Sequence, residues 1–184
     1  QSILCDDRLR DMFAEFFARP DSFGLGLGNG AHLFTALAGL IPGAEAWPRF
    51  THNASGRFEG RLSLVEVPGS PSLWLAGMAG SRLPVVVSTA EGRADFGTQG
   101  DAATVERALR FVDNHGNPTE AYPANPTGSP AGLAGVTTTD GRFTALVVHP
   151  ERSVRNAQLS WSDGPTAAGT GWARLFANAR AHLA

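Results

Sequence analysis

The stretch Ser22–Leu40, SFGLGLGNGAHLFTALAGL, decides the fold of this chain. Its first apolar run, Phe23–Leu27, has the length and composition of a buried strand. A sharp turn follows at residues 28–30, Gly-Asn-Gly. From Ala31 onward, apolar residues recur at helical spacings, and this pattern predicts an amphipathic helix over Ala31–Leu40.

A strand, a tight glycine turn and a helix in this order are typical of a nucleophile elbow. In such an elbow the backbone holds one side chain, in a strained conformation, at the carboxyl end of a parallel strand. The apex residue here is Gly28, which accepts a strained backbone cheaply but has no side chain to attack anything. The stretch therefore predicts a catalytic scaffold whose nucleophile is missing.

Helix and strand patterns continue on both sides of the elbow. They predict helices over 3–17 and 171–183, and strands over 58–67, 83–88, 108–113, 133–138 and 142–148. The β-branched run 83–88 is predicted to be fully buried, and Thr139-Asp140-Gly141 predicts a hairpin turn. We expect one α/β domain over residues 1–184, with a parallel-type central sheet flanked by helices and an added antiparallel hairpin.

The connections between these elements carry weaker signals. Residues 47–50 are interpreted as a turn-rich connection, and residues 73–78 are apolar but ambiguous. One or two helical turns are predicted over 101–107. Residues 114–130 contain four prolines and predict a long loop, and loops of that length are often functional.

Composition excludes several classes of function. The 15 basic and 17 acidic residues leave a net charge of −2, and no basic run indicates nucleic-acid binding. No apolar run approaches the ~20 residues of a membrane span, and no signal peptide is recognised. The single cysteine, Cys5, excludes an internal disulfide and is predicted to pack rather than to react. These features favour a cytoplasmic protein.

A second candidate site feature lies where the strand over 142–148 ends, at His149-Pro150-Glu151. Residues two apart at a strand end can present an imidazole and a carboxylate to one cleft. Taken alone, a histidine after an apolar strand is more often structural than catalytic. Its interpretation therefore depends on what surrounds it.

The elbow Gly26–His32, GLGNGAH, resembles that of the glutamine amidotransferase domain at the carboxyl end of phosphoribosylformylglycinamidine synthase, a ligase of purine biosynthesis. The family pattern at that point is Gly-Val-Cys-Asn-Gly-Cys-Gln. The resemblance extends through residues 40–50, 58–67, 122–130, 149–152 and 172–180. Many uncommon residues in one order make this a specific match.

The resemblance implies a triad-type amidotransferase fold and a set of site residues. In that family a cysteine thiolate attacks the side-chain amide of L-glutamine, and histidine and glutamate complete the triad. His149 and Glu151 match this histidine and glutamate, and the backbone N–H of Asn29 matches an oxyanion donor. The resemblance implies a formylglycinamidine synthase core as partner and implies no cofactor.

Departures from the family pattern fall where the chemistry is expected. Gly28 replaces the nucleophilic cysteine, His32 replaces a glutamine of the substrate pocket, and Thr89 replaces a histidine. Ala31 replaces a second cysteine. The family domain also begins several strands earlier, with a glycine-rich loop that supplies the other oxyanion donor. We therefore expect a truncated version of the fold.

Loss of a triad nucleophile alone costs roughly 10⁶-fold in turnover, on the order of 8 kcal/mol of barrier. The chain is therefore predicted not to hydrolyse glutamine by the thioester route, although glutamine-dependent amidotransfer in purine synthesis is the function that its descent implies. Whether it is an enzyme stays open at this point.

Other classes remain as alternatives. A chain that keeps the fold of the family but lacks its nucleophile is also consistent with a non-catalytic docking domain or a degenerate fragment. Gly26-Leu-Gly-Asn-Gly-Ala31 fits the GxGxxA fingerprint of dinucleotide binding, for which Glu45 would be the acidic residue about 20 positions on. The five histidines are scattered without paired spacing, so no metal site is predicted.

Overall fold

Three α-helices and eight strands form the described part of the computed structural model, which covers residues 6–98, 100–162 and 164–183. Cys5, whose packing the sequence predicts, lies outside this part. The helices are α1 (Asp7–Ala18), α2 (Asn29–Ala36) and α3 (Ala173–His182). The strands are β1 (Gly24–Leu27), β2 (Arg49–Thr51), β3 (Glu59–Glu66), β4 (Arg82–Thr89), β5 (Arg93–Asp95), β6 (Arg107–Phe111), β7 (Leu133–Thr137) and β8 (Phe143–Leu146).

Six strands form one mixed sheet in the order β1-β8-β7-β6-β3-β4. The predicted α/β class, with a sheet flanked by helices and an added hairpin, is confirmed. Among the described strands, parallel pairing is confined to β1 and β8, and the other pairs of the sheet are antiparallel. The parallel pair is the one that carries the elbow.

The chain beyond β8 curls the sheet into a half-barrel. After Leu146 the backbone first bonds to β7, through the Val147 N–H and the Ala134 carbonyl at 3.1 Å. Two residues later the His149 N–H donates to the carbonyl of Val86 on β4 at 2.8 Å. Strand β4, the last in the sheet order, is thereby joined to the residues that follow β8, the second strand in that order.

Aromatic rings fill the space between α1, α2 and β8. The Phe17 ring centroid lies 5.1 Å from that of Phe143 and 6.0 Å from that of Phe34, both at right-angled geometries favoured by the ring quadrupoles. At the carboxyl end of the chain, Trp172 is fully buried and its indole N–H donates to the Pro84 carbonyl at 2.7 Å. These contacts fasten both terminal helices to the same core.

Several local predictions differ from the structure. Strand β4 alternates instead of being fully buried, with Val85 and Val87 its buried residues, because successive side chains point to opposite faces of the sheet and only one of those faces packs on the core. The helix predicted over 31–40 begins at Asn29 and ends at Ala36, before a separate 3-10 turn. Residues 101–106 form turns rather than a helix.

The second sheet was missed at the sequence level. Strands β2 and β5 pair antiparallel over three residues each, and the sequence predicted β2 as part of a turn-rich connection. Strands this short carry too little periodicity to be recognised. In the part of the chain that the structure describes, none of the helices has the length and apolar character that a membrane span requires.

The approach of β1 to α2 gives a first testable prediction. A Cβ placed on Gly26 would lie 2.5 Å from the Gly30 carbonyl oxygen, a backbone atom that cannot move aside cheaply. We expect Gly26→Ala to lower the free energy of unfolding by about 1–3 kcal/mol, as measured by urea denaturation.

The matched control lies in the same turn. A Cβ on Gly30 meets no atom within 4 Å, and alanine favours a helix over glycine. Gly30→Ala is therefore expected to leave the free energy of unfolding unchanged or higher. Equal losses in the two variants would contradict the close approach.

Candidate functional site

The elbow predicted from the sequence is present at Gly28. This residue lies between β1 and α2 with φ +51° and ψ −113°, a conformation that favours glycine. Its N–H donates to the Leu146 carbonyl of β8 at 3.0 Å, and its carbonyl accepts from the Ala31 N–H at 3.0 Å. The backbone is therefore fixed on both sides of the apex.

The apex points at the imidazole of His149. A Cβ built on Gly28 would lie 2.5 Å from Cε1 and 2.9 Å from Nε2 of that ring. The structure thus brings together two residues that are 121 positions apart, 149 minus 28. The ring occupies the space in which a side chain at position 28 would begin.

The imidazole is oriented from its other side by Glu151. His149 Nδ1 and Glu151 Oε1 are 2.7 Å apart, within a short 3-10 turn over Pro150–Arg152. When Nδ1 carries the proton that this carboxylate accepts, Nε2 of the neutral ring is an acceptor. That nitrogen faces Gly28, as a general base toward a nucleophile would.

Burial and hydrogen bonding act in opposite directions on Glu151. Partial burial raises its pKa, but the hydrogen bond with His149, the residue's own backbone N–H and the charges of His149 and Arg152 together lower it more. The net pKa of Glu151 lies below the usual value for glutamate. The carboxylate is therefore ionised at neutral pH.

Asn29 supplies a polarised N–H at the same place. It is the first residue of α2, so its N–H has no acceptor one turn earlier in the helix. The positive end of the helix dipole lies there as well. This N–H therefore has the polarity that an oxyanion donor requires, and its role as a donor stays a prediction.

These groups surround a cleft of about 320 Å³. Five of the six predicted site residues line it, and Glu151 lies behind His149. A neighbouring cleft of about the same size, 320 Å³, shares several of these residues and extends to Phe58 and Glu91. The first cleft is lined by Leu27, Gly28, Asn29, His32, Ser88, Thr89, His149 and Arg152.

His32 and Thr89 form opposite parts of this cleft. The His32 ring stacks edge-on against Phe50 of β2, with 6.1 Å between centroids. Thr89 ends β4, and its hydroxyl accepts from the Glu91 N–H at 2.9 Å. Their positions agree with the predicted pocket, and their roles in binding stay predictions.

Sequence reasoning missed Asn53, which holds the cleft wall. Its buried amide donates to the Thr89 carbonyl at 2.8 Å and accepts from the Gly92 N–H at 2.9 Å. A further bond joins its own N–H to the Ala90 carbonyl at 2.9 Å. No spacing in the sequence signals these contacts, because they link residues 36 to 39 positions apart.

Arg152 lies within the stretch 149–152 that carries the resemblance, but the sequence does not predict it as a site residue. It lies at the cleft, and its Nε atom is 3.6 Å from Glu151 Oε1. The signal that could have found it is its place directly after the glutamate. Its exposed guanidinium adds a positive charge at the cleft mouth.

The long loop predicted over 114–130 packs behind the cleft wall that Asn53 holds. Asn125, Thr127 and Ser129 are buried, and the Ser129 hydroxyl donates to the Gly92 carbonyl at 3.1 Å. The Thr127 carbonyl accepts from the Ala54 N–H at 2.9 Å. The loop therefore supports Asn53 and its neighbours without lining the cleft.

Dinucleotide binding and metal binding each require side chains in a particular arrangement. Glu45 lies in a turn, where it accepts from the Gly43 N–H at 3.1 Å, and not at the end of a second strand as dinucleotide binding requires. Within residues 6–98, 100–162 and 164–183, no cluster of three or more His, Cys, Asp or Glu side chains could hold a metal ion.

The ion pair of the site gives a second prediction. Because the pKa of Glu151 is lowered on folding, its stabilising contribution is complete above the glutamate pKa of the unfolded chain and is lost as the pH falls through the lowered value. We expect Glu151→Gln to cost about 1 kcal/mol at pH 7, a modest value because solvent screens the partly exposed pair.

The measurement is urea denaturation at a series of pH values. The difference between Glu151→Gln and the parent chain is expected to shrink below pH ~4. Glu15→Gln, an exposed change on α1, serves as the control. A difference that stays constant down to the acid limit would contradict the charged hydrogen bond.

Comparison with known proteins agrees with this geometry. A family model described as the CobB/CobQ-like glutamine amidotransferase domain matches residues 1–183. Among solved structures, the chain is similar to PurLQS from Thermotoga maritima, with a TM-score of 0.62 and 19% sequence identity. The alignment covers 87% of this chain and 61% of that one, so this chain spans less than two thirds of its length.

At this identity the structural likeness establishes the fold alone. The family match covers nearly the whole chain and is independent of that likeness. It also agrees with the elbow at Gly28 and the pair His149 and Glu151. The chain therefore belongs to the family of CobB/CobQ-like glutamine amidotransferase domains.

Proposed function

We propose that this chain is the amidotransferase-type domain of a phosphoribosylformylglycinamidine synthase system that has lost glutamine hydrolysis. The observation that carries the proposal is the apex of the elbow. Gly28 keeps the backbone of a nucleophile, at φ +51°, and directs its absent Cβ at His149. L-glutamine is the ancestral substrate, and purine biosynthesis is the pathway that the motif resemblance supports.

The chemistry of an intact site explains what is lost. A thiolate at the apex would attack the amide carbon of glutamine, ammonia would leave with a proton from the imidazole, and water would cleave the thioester. We assign the proton transfers to His149, which is paired with Glu151 through Nδ1 and Oε1, and the oxyanion to the Asn29 N–H at the start of α2. Without sulfur at position 28, no thioester forms.

Direct attack by water is a poor substitute. His149 Nε2 faces the apex, so a water molecule activated there would have to stand beside Gly28. It would act without the covalent intermediate that divides the reaction into two easier steps. Loss of the nucleophile removes roughly 10⁶-fold in turnover, or about 8 kcal/mol of barrier.

A docking role is the second part of the proposal. The likeness in fold to PurLQS and the resemblance of the motifs to the synthase domain support a synthase core as the partner. The buried core of the chain, which includes Trp47 and Trp172, does not require a sulfur atom at position 28 for its packing. The cytoplasmic location stays a prediction.

Loss of hydrolysis leads to the third prediction. The parent chain is expected to release ammonia from L-glutamine at the uncatalysed rate, because it forms no thioester. Ammonia is measured by a coupled dehydrogenase assay at pH 7.5. Release above background in the parent, abolished by His149→Ala, would refute the proposed inactivity.

Restoring the sulfur tests whether the elbow is intact. In Gly28→Cys the new Cβ displaces the imidazole slightly, and the thiol then lies beside a base and a helix N-terminus, which both lower a thiol pKa. On a Cys5→Ser background, we expect its alkylation by iodoacetamide at pH 7 to be about tenfold faster than in Gly28→Cys/His149→Ala.

A reference thiol completes this comparison. Ser160→Cys places a thiol in an exposed loop away from the elbow and is expected to react at the ordinary rate. If Gly28→Cys reacted no faster than Ser160→Cys, position 28 would not be a nucleophile apex.

The fourth prediction concerns the partner. We expect the chain to co-elute one-to-one with a phosphoribosylformylglycinamidine synthase core that lacks its own amidotransferase domain, measured by size-exclusion chromatography. Docking through the surface of the folded domain does not require a sulfur atom at position 28, so the parent and Gly28→Cys are expected to bind equally. Separate elution of both at micromolar concentrations would exclude docking while leaving the loss of hydrolysis untouched.

A further inference from the structure

Strand β3 has an open edge over half of its length. It pairs with β4 from Glu59 to Glu66, but with β6 only at Val65 and Glu66. The last bond on that side joins the Val112 N–H to the Leu64 carbonyl at 3.1 Å, and β6 has already ended at Phe111. Earlier residues of β3 therefore face the gap that opens as the two strands diverge.

The register identifies which backbone groups face this gap. Leu64 and Glu66 turn their backbone groups toward β6. Because backbone direction alternates along a strand, Leu62 and Gly60 turn theirs the same way. Neither has a backbone hydrogen-bond partner on that side in the part of the chain that the structure describes.

The gap forms a slot of about 420 Å³. Residues 61–64 of β3 line one side of it, and residues 112–114 with 123–124 line the other. The slot shares no lining residue with the cleft at Gly28. It is therefore a separate site from the one that the proposed function uses.

Two side chains of the slot carry buried polar atoms without a partner in the described residues. Ser63 is 7% exposed and its hydroxyl is unpaired. Arg61 Nε is also buried and unpaired, although the same guanidinium donates through its NH2 group to the Tyr122 hydroxyl at 2.6 Å and to Glu59. Buried groups of this kind cost free energy unless an acceptor reaches them.

The acidic side chain of the slot does not supply that acceptor. Asp113 Oδ1 accepts from the N–H groups of His115 and Asn117, at 2.8 and 2.9 Å. Its Oδ2 atom accepts from the Asn117 amide at 3.3 Å. The carboxylate of Asp113 is thus engaged by its own turn, and the buried Arg61 Nε and Ser63 hydroxyl stay without a partner among the described residues.

We propose that this slot binds an extended peptide segment of another protein, which adds to β3 as a strand at Leu62. Side chains directly opposite across two strands lie about 5 Å apart, so an acidic side chain of the added strand would reach Arg61 Nε and the Ser63 hydroxyl. With the acidic residue opposite Arg61, its two neighbours face the other side of the sheet, one beside Leu62 and one beside the Phe58 ring next to Gly60, which favours apolar residues. The recognised pattern is apolar, acidic, apolar.

The probe for this proposal is the blocked tripeptide acetyl-Val-Glu-Val-amide, titrated into the whole chain labelled with ¹⁵N. We expect saturable shifts of the Gly60, Leu62 and Ser63 amide resonances. Acetyl-Val-Gln-Val-amide, which lacks the charge, is expected to bind about tenfold more weakly because bonds to charged groups are stronger. The absence of saturable shifts at these amides would overturn the proposal.

Two variants test the backbone edge and the side-chain donor of the slot separately. Leu62→Pro removes the free N–H at the edge and is expected to abolish binding, whereas Ser63→Ala removes one donor and is expected to weaken it about five- to tenfold. Ser160→Ala, in an exposed loop, is the matched control and is expected to bind as the parent does.

The Ser63→Ala result stands even if Leu62→Pro fails to fold. Unchanged affinity in Ser63→Ala, or shifts that map to the Gly28 cleft instead of β3, would overturn the proposal. Because the slot and the cleft share no residue, either outcome leaves the proposed loss of glutamine hydrolysis unaffected.

Discussion

The hydrogen bond from the His149 N–H to the Val86 carbonyl, 2.8 Å long, is the constraint on which the site depends. Strands β1 and β8 are parallel, so their carboxyl ends, Leu27 and Leu146, meet at one edge of the sheet. The chain beyond β8 then crosses to β4 and is held by this bond. The crossing carries the imidazole over the elbow, at the carboxyl end of β1.

The elbow adopts its conformation with glycine at the apex because its backbone is determined elsewhere. The bond from Gly28 to Leu146 and the close approach of Gly26 to Gly30 fix the turn, and neither involves a side chain at the apex. Glycine accepts this conformation with little strain. The imidazole is likewise held by Glu151, so this geometry does not depend on a side chain at position 28.

Buried polar groups organise the rest of the cleft wall. Asn53 joins Thr89 to Gly92, and Ser129 fastens Gly92 to the long proline-rich loop. These bonds lie in buried or partly buried surroundings, where an unpaired group would be costly. The open edge of β3 contrasts with this wall, since Ser63 is also buried and yet its hydroxyl has no partner among the described residues.

Local patterns in the sequence determined the elbow, the β7–β8 hairpin and both flanking helices, because each depends on neighbouring residues. The motif resemblance singled out His149 and Glu151 in advance. Tertiary structure alone decided the antiparallel majority of the sheet, the short pair of β2 and β5, and the place of Asn53 at the wall. These features arise from contacts between distant segments, and hydrophobic periodicity records only which face of an element is buried, not which strand or loop covers it.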